Sequence, residues 1–75
     1  MGKTLKIGNI ELKPGVCIDV LIQGRKYKVK IETIDEYNTI IGVDPSDNPV
    51  MVRLSKIVAI RVISEDEFYG EKRNE

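Results

Sequence analysis

Isoleucine and valine recur at every second position through most of this chain, and that pattern commits it to β-strands. Together they supply 19 of the 75 residues, against four leucines and a single alanine, Ala59. β-branched side chains are stiff at χ1 and fit a pleated surface, whereas helices favour alanine and leucine. Val16, Ile18, Val20 and Ile22 keep period two and read as a strand with one face buried. After the Gln23-Gly24 turn, a long strand over Arg25–Ile34 continues the pattern. It points Tyr27, Val29, Ile31 and Thr33 inward and leaves Lys26, Lys28, Lys30 and Glu32 to water.

Punctuation divides the rest. Thr4–Ile7 and Ile10–Lys13 flank Gly8-Asn9 as a small hairpin, and Pro14-Gly15 is a turn. Asp35–Asn38 forms a tight turn before a strand over Thr39–Val43, in which Ile40 and Ile41 offer apolar groups to both faces. Asp44–Pro49 is an exposed loop. Val50, Val52 and Leu54 alternate again, Ser55-Lys56 permits only a short connection, and Ile57–Ile63 is apolar on both faces except at Arg61. Ser64 with Glu67 makes a capping box, and Ile63 with Phe68 a hydrophobic staple. They predict one helical turn over Glu65–Tyr69 ending near Gly70. The expectation is an all-β single domain over 1–75: a small, strongly bent five-stranded barrel of the Sm-like or SH3-like kind. An N-terminal hairpin (1–13) precedes it, and a short helical turn and a flexible tail (71–75) follow.

Composition narrows the chemistry. There is no histidine and only one cysteine, Cys17, so neither an internal disulfide nor the usual zinc ligand set can form. Without histidine, a general base would have to be a carboxylate, a lysine or Cys17. Cys17 lies on a strand with no neighbour to lower its pKa, and reads as structural. The glycines are scattered, so no phosphate loop is present. Asp44, Ser46 and Asn48 begin like a calcium loop, but Pro49 stands where that loop needs glycine and Ser55 where it needs a bidentate glutamate. The expectation is a non-enzyme without cofactor or metal. No stretch approaches the roughly 18 apolar residues of a membrane span, and the N-terminus lacks a signal-like apolar run, which points to the cytoplasm without a membrane partner.

The net charge is zero, which argues against a strong, indiscriminate polyanion binder. Its distribution is uneven. Residues 1–34 carry seven Lys/Arg and three Asp/Glu, while residues 35–75 carry five and nine. A small chain buries a small share of its surface, so barrel closure or association must supply stability. Apolar groups left over on Ile57–Ile63, namely Ile57, Val58, Ile60 and Val62, point to a homo-oligomer in which a neighbouring copy adds its edge strand. The barrel wrapping over that strand is the alternative.

Two segments, GRKYKVKIETIDEYNTII (Gly24–Ile41) and VRLSKIVAI (Val52–Ile60), carry a resemblance. The first resembles the Sm1 motif of Sm-like proteins: a Gly-Arg turn, an aromatic two positions later, an Asp closing the bent strand, an aromatic at Asp+2, then an Asn. The second resembles Sm2 through Val52, Arg53, Ser55 and Ile57. The chain departs from the pattern at Val29 and Leu54, where the family has glycines, and in the three-residue spacing of Asp35 and Asn38. The resemblance implies a homo-oligomeric ring binding single-stranded RNA. Tyr37 would stack on a base, Asn38 would bond its edge, Arg53 would pack over the other side, Asp35 would hold Asn38, and Ser55 would complete the second loop. An aromatic face, a planar guanidinium and an amide suit unpaired bases. Leu12–Gly15, Tyr27–Asp35, Ile40–Pro45 and Pro49–Leu54 also resemble the split-barrel domain preceding PilZ domains in flagellar brake proteins. That resemblance implies a non-catalytic protein-interaction module. A third reading, an enzyme or accessory subunit completed by a partner, stays open.

Overall fold

The computed structural model describes residues 3–70. The tail expected over 71–75 lies outside the described residues. β1 (Leu5–Ile7) and β2 (Ile10–Leu12) form the N-terminal hairpin as a separate two-stranded sheet. The main sheet is built from β3 (Cys17–Ile22), β4 (Arg25–Ile34), β5 (Thr39–Val43), β6 (Pro49–Arg53) and β7 (Ala59–Ile63). Its order is β6-β5-β4-β3-β7, and every pairing is antiparallel. A 3-10 turn over Leu54–Lys56 joins β6 to β7, and α1 (Glu65–Tyr69) follows β7. The described residues are therefore mostly β, with one short α-helix among them. Among the described residues, no helix is long and apolar enough to cross a membrane.

Local chemistry explains these elements. Ile22 pairs with Arg25, so Gln23-Gly24 is a two-residue loop, and both residues have positive φ (51° and 80°) as a twist-matched hairpin turn requires. α1 starts where the Ser64 Oγ accepts the Glu67 N–H at 3.1 Å. The Glu67 side chain does not return to the cap; it binds Arg61 instead. Ile63 and Phe68 bury together as the staple pattern requires.

Two inward assignments on β4 change, and the first is Tyr27, which is 41% exposed near the open end of the strand. Val29 and Ile31 are fully buried, but Thr33 is half-buried and Ile34 takes the core position. The cause is a β-bulge: Ile31 faces Gly42 and Thr33 faces Ile41, leaving Glu32 as the extra residue. A bulge shifts the strand by one and swaps its faces. The bend thus falls at Glu32, opposite a glycine in β5, while Val29 packs in the core.

The core joins Leu12, Ile18, Val20, Val29, Ile31, Ile34, Ile40 and Val52, with Leu5, Ile7 and Ile10 of the hairpin packed against it. A second, smaller cluster of Cys17, Ile63 and Phe68 lies on the other face of the sheet. The apolar groups of β7 are therefore divided. Ile60 faces the main core and Ile63 is covered by α1, so part of what looked unspent has a partner in the same chain.

The sheet does not close into a barrel: no pairing joins β6 to β7 among the described residues. β7 begins only at Ala59, because Ile57 is used in the turn and Val58 lies ahead of the paired register with β3. The Ile57 N–H donates to the Leu54 carbonyl at 3.1 Å and the Val58 N–H to the Leu21 carbonyl at 2.8 Å. Ile7 of the hairpin sits beside Leu54, Ile57 and Ile60 at this connection.

Candidate nucleic-acid interface

The Asp35–Thr39 turn is built by one carboxylate. The Asp35 Oδ1 accepts the backbone N–H groups of Tyr37 and Thr39, both at 2.9 Å, and its carbonyl accepts the Asn38 N–H at 3.1 Å. Asn38 takes the left-handed conformation, φ 63°, that asparagine tolerates better than most residues. Asp35 therefore holds the backbone on either side of Asn38. The Asn38 side chain is held by another group: its Oδ1 accepts a hydrogen bond from the Lys3 ammonium at 2.6 Å.

The β5–β6 loop repeats this device. The Asp44 Oδ1 accepts the N–H groups of Ser46 and Asn48, its carbonyl accepts the Asp47 N–H, and Asp47 has φ 68°. An aspartate opening a left-handed turn is thus a general solution in this chain, and its presence at Asp35 explains the turn without a ligand. The carboxylate of Asp44 is occupied in the same way, and no cluster of metal-ligating side chains occurs among the described residues.

Both carboxyls are held below the usual aspartate range. The Thr39 amide is the largest influence on Asp35, and the Asn48 amide on Asp44. A depressed folded-state pKa stabilises the fold above the unfolded value and is lost as pH falls through the folded one. Stability should therefore decline as pH drops below about 4. An Asp35→Asn, Asp44→Asn variant, which does not titrate there, should show a flatter acid limb in urea melts at pH 7 and pH 3. Equal acid losses in the two proteins would assign the effect to other carboxylates.

The second loop meets the first. The Leu54 N–H donates to the Asn38 carbonyl at 3.1 Å, and Thr39 pairs with Arg53 across β5 and β6. Tyr37 is 74% exposed, and Arg53 and Ser55 are exposed as well. Leu54, where the family pattern has glycine, is half-buried in the 3-10 turn. Of the four apolar residues assigned to an oligomer interface, Ile57 and Ile60 pack partly against the core, while Val58 (74%) and Val62 (47%) are exposed. Met51 on the opposite edge strand, β6, is exposed as well.

Cys17 lies under α1 with Ile63 and Phe68. Burial pushes its thiol pKa up against the opposing pull of the Lys30 charge.

Sequence reasoning missed the ionic layer on the outer face of β3, β4 and β7. Arg61 bridges Asp19 (3.1 Å) and Glu67 (2.9 Å), and Lys30 pairs with Glu65 at 3.1 Å and donates to the Tyr69 hydroxyl at 3.3 Å. The Lys28 ammonium donates to the Glu67 carbonyl at 3.2 Å. The signal was present as an alternating Lys26-Lys28-Lys30 row and an acidic run at Glu65–Glu67.

No family model and no solved structure matches the chain. It is 47% identical over 66 residues to Uncharacterized protein 8 of Sulfolobus islandicus filamentous virus (isolate Iceland/Hveragerdi), a match covering 88% of this chain and 84% of the viral one. The chain belongs to the family of that viral protein. At this coverage the match takes in most of the strand framework and both loops described above.

Proposed function

We propose that this chain assembles through its two free sheet edges into a cytoplasmic Sm-like ring that binds single-stranded RNA. Each copy offers Tyr37, Asn38 and Arg53 to one base. The observation that carries the reading is the hydrogen bond from Leu54 to Asn38, which ties the turn bearing Tyr37 to the end of β6 bearing Arg53. The open order β6-β5-β4-β3-β7 is consistent with it. Edge strands present unpaired backbone groups, and here they carry exposed Met51 on one side and Val62 on the other. Repeating a weak site around a ring supplies the affinity that a neutral single copy lacks.

Light scattering at micromolar concentration is expected to give a mass several times 8.5 kDa. A monomer would sink the ring. In oligo(U) binding by fluorescence anisotropy, Tyr37→Ala should weaken affinity about tenfold, the loss of one stacked base. Equal binding by both proteins would leave Tyr37 a turn residue only.

A second reading has one observation in its favour. The Lys3 ammonium already occupies the Asn38 Oδ1, as it would in a non-catalytic protein-interaction module where that amide serves the fold. A monomer indifferent to Tyr37→Ala is the outcome that reading expects.

A further inference from the structure

On the outer face of the main sheet, the β3–β4 and β3–β7 registers set Lys26, Lys28 and Lys30 in a row along β4. Arg61 stands across from Asp19. Same-face residues on a strand are about 6.7 Å apart, close to the separation of successive phosphates in an extended nucleic-acid strand. Against these four cations stand Asp19, which is paired with Arg61, and Glu32, exposed at the bulge that ends the row. An anionic segment already sits on this face. Glu65 takes Lys30, Glu67 takes Arg61, and the Glu67 carbonyl takes Lys28.

The covering contacts are easily exchanged. The side chains of Arg61, Glu65 and Glu67 are 58%, 64% and 44% exposed, and exposed ion pairs contribute little once solvent competes. Phe68 anchors α1 separately, by burial against Cys17 and Ile63, so the two carboxylates can swing aside while the helix stays seated. Lys26 has no ionic partner among the described residues and extends the row beyond α1.

We propose that the outer face of β3, β4 and β7 binds the phosphates of a single nucleic-acid strand, and that Glu65 and Glu67 are built-in competing anions that set its affinity. The face is separate from the Tyr37 loop and does not depend on it.

The test is anisotropy with labelled 15-mer oligo(U) and oligo(dT) across a salt series, comparing wild type with Glu65→Gln, Glu67→Gln. These substitutions leave Ser64 and Phe68 in place, and a thermal melt verifies folding. The double variant should bind both oligonucleotides about five- to tenfold tighter at low salt. Its slope of log K against log salt should steepen by about 1.4, two further phosphates on a single strand. Adding Lys28→Gln and Lys30→Gln should remove the gain. Asp47→Asn, Asp66→Asn makes the same change in net charge away from these ion pairs and should leave affinity near wild type. The gain should persist in a Tyr37→Ala background, even if Tyr37 itself proves irrelevant. No tightening, an equal gain in the Asp47/Asp66 variant, a gain that survives loss of the lysines, or a gain seen on phosphatidylserine vesicles but not on oligonucleotides would each overturn the proposal.

Discussion

Gly42→Ala is expected to cost at least ~3 kcal/mol, the scale of backbone and overpacking defects in a close-packed site. Gly42 sits opposite the bulge that bends β4, fully enclosed between strands. A Cβ there would overlap the Lys30 carbonyl oxygen and lie 2.9 Å from its carbon and 3.2 Å from the Ile31 Cα. These are backbone atoms of a paired strand and cannot rotate away. Relief would require β5 to part from β4 at Ile31, which would also displace Ile40 and Val52 from the core. For a domain of this size the melting temperature should fall by more than about 12 °C. Thermal and urea unfolding followed by circular dichroism would measure it. A loss below about 1 kcal/mol would mean that the strands separate locally without disturbing the bend.

Leu12→Ala should cost about 3 kcal/mol, within the range for truncating a buried leucine. Leu12 ends β2 and is fully buried in the main cluster, although it belongs to a hairpin that is not hydrogen-bonded to the main sheet. β1 and β2 are attached mainly by side-chain packing, beside the Lys3–Asn38 hydrogen bond, so this one residue tests whether the hairpin belongs to the cooperative unit. Val62→Ala, on a half-exposed side chain of the edge strand, should change stability by no more than about 0.5 kcal/mol. If urea melts gave the two substitutions equal small effects, the hairpin would be an appendage and the core would begin at β3.

The two substitutions also mark the boundary of what periodicity can reveal. β4 as Arg25–Ile34, β5 as Thr39–Val43 and α1 as Glu65–Tyr69 agree residue for residue with the sequence expectation. Their ends are set by neighbours in the chain: the Gln23-Gly24 turn, the Asp35 carboxylate and the Ser64 cap. β3 and β7 start later than expected because Val16 and Ile57 place their amides in turns, while Val58 bonds β3 just ahead of the paired register. Alternation alone gives no account of an amide bonded outside its own strand. The bulge at Glu32 is similar. It arises from the fit of β4 against β5, so the inward phase held by Val29 and Ile31 could not carry through to Thr33.

The candidate site divides along the same line. Asp35, Tyr37 and Asn38 were legible as a turn because they are adjacent, and Arg53 as an outward position within the alternating run of Val50, Val52 and Leu54. That the two segments touch through Leu54, and that Lys3 reaches Asn38 from 35 residues away, depends on how the sheet bends. The apolar surplus of Ile57–Ile63 was legible as a surplus, but not that Phe68 would cover Ile63.

The sequence by itself determined the strands, their turns and the short helix, because β-branched periodicity, left-handed turn residues and a serine cap act within a few positions of themselves. Only the tertiary structure decided where β4 bends, why β6 and β7 stay apart, and that Glu65 and Glu67 of α1 lie on the lysine row. Those outcomes depend on packing and charge pairing between segments as much as 42 residues apart, and alternation along a strand specifies a face without specifying what will cover it.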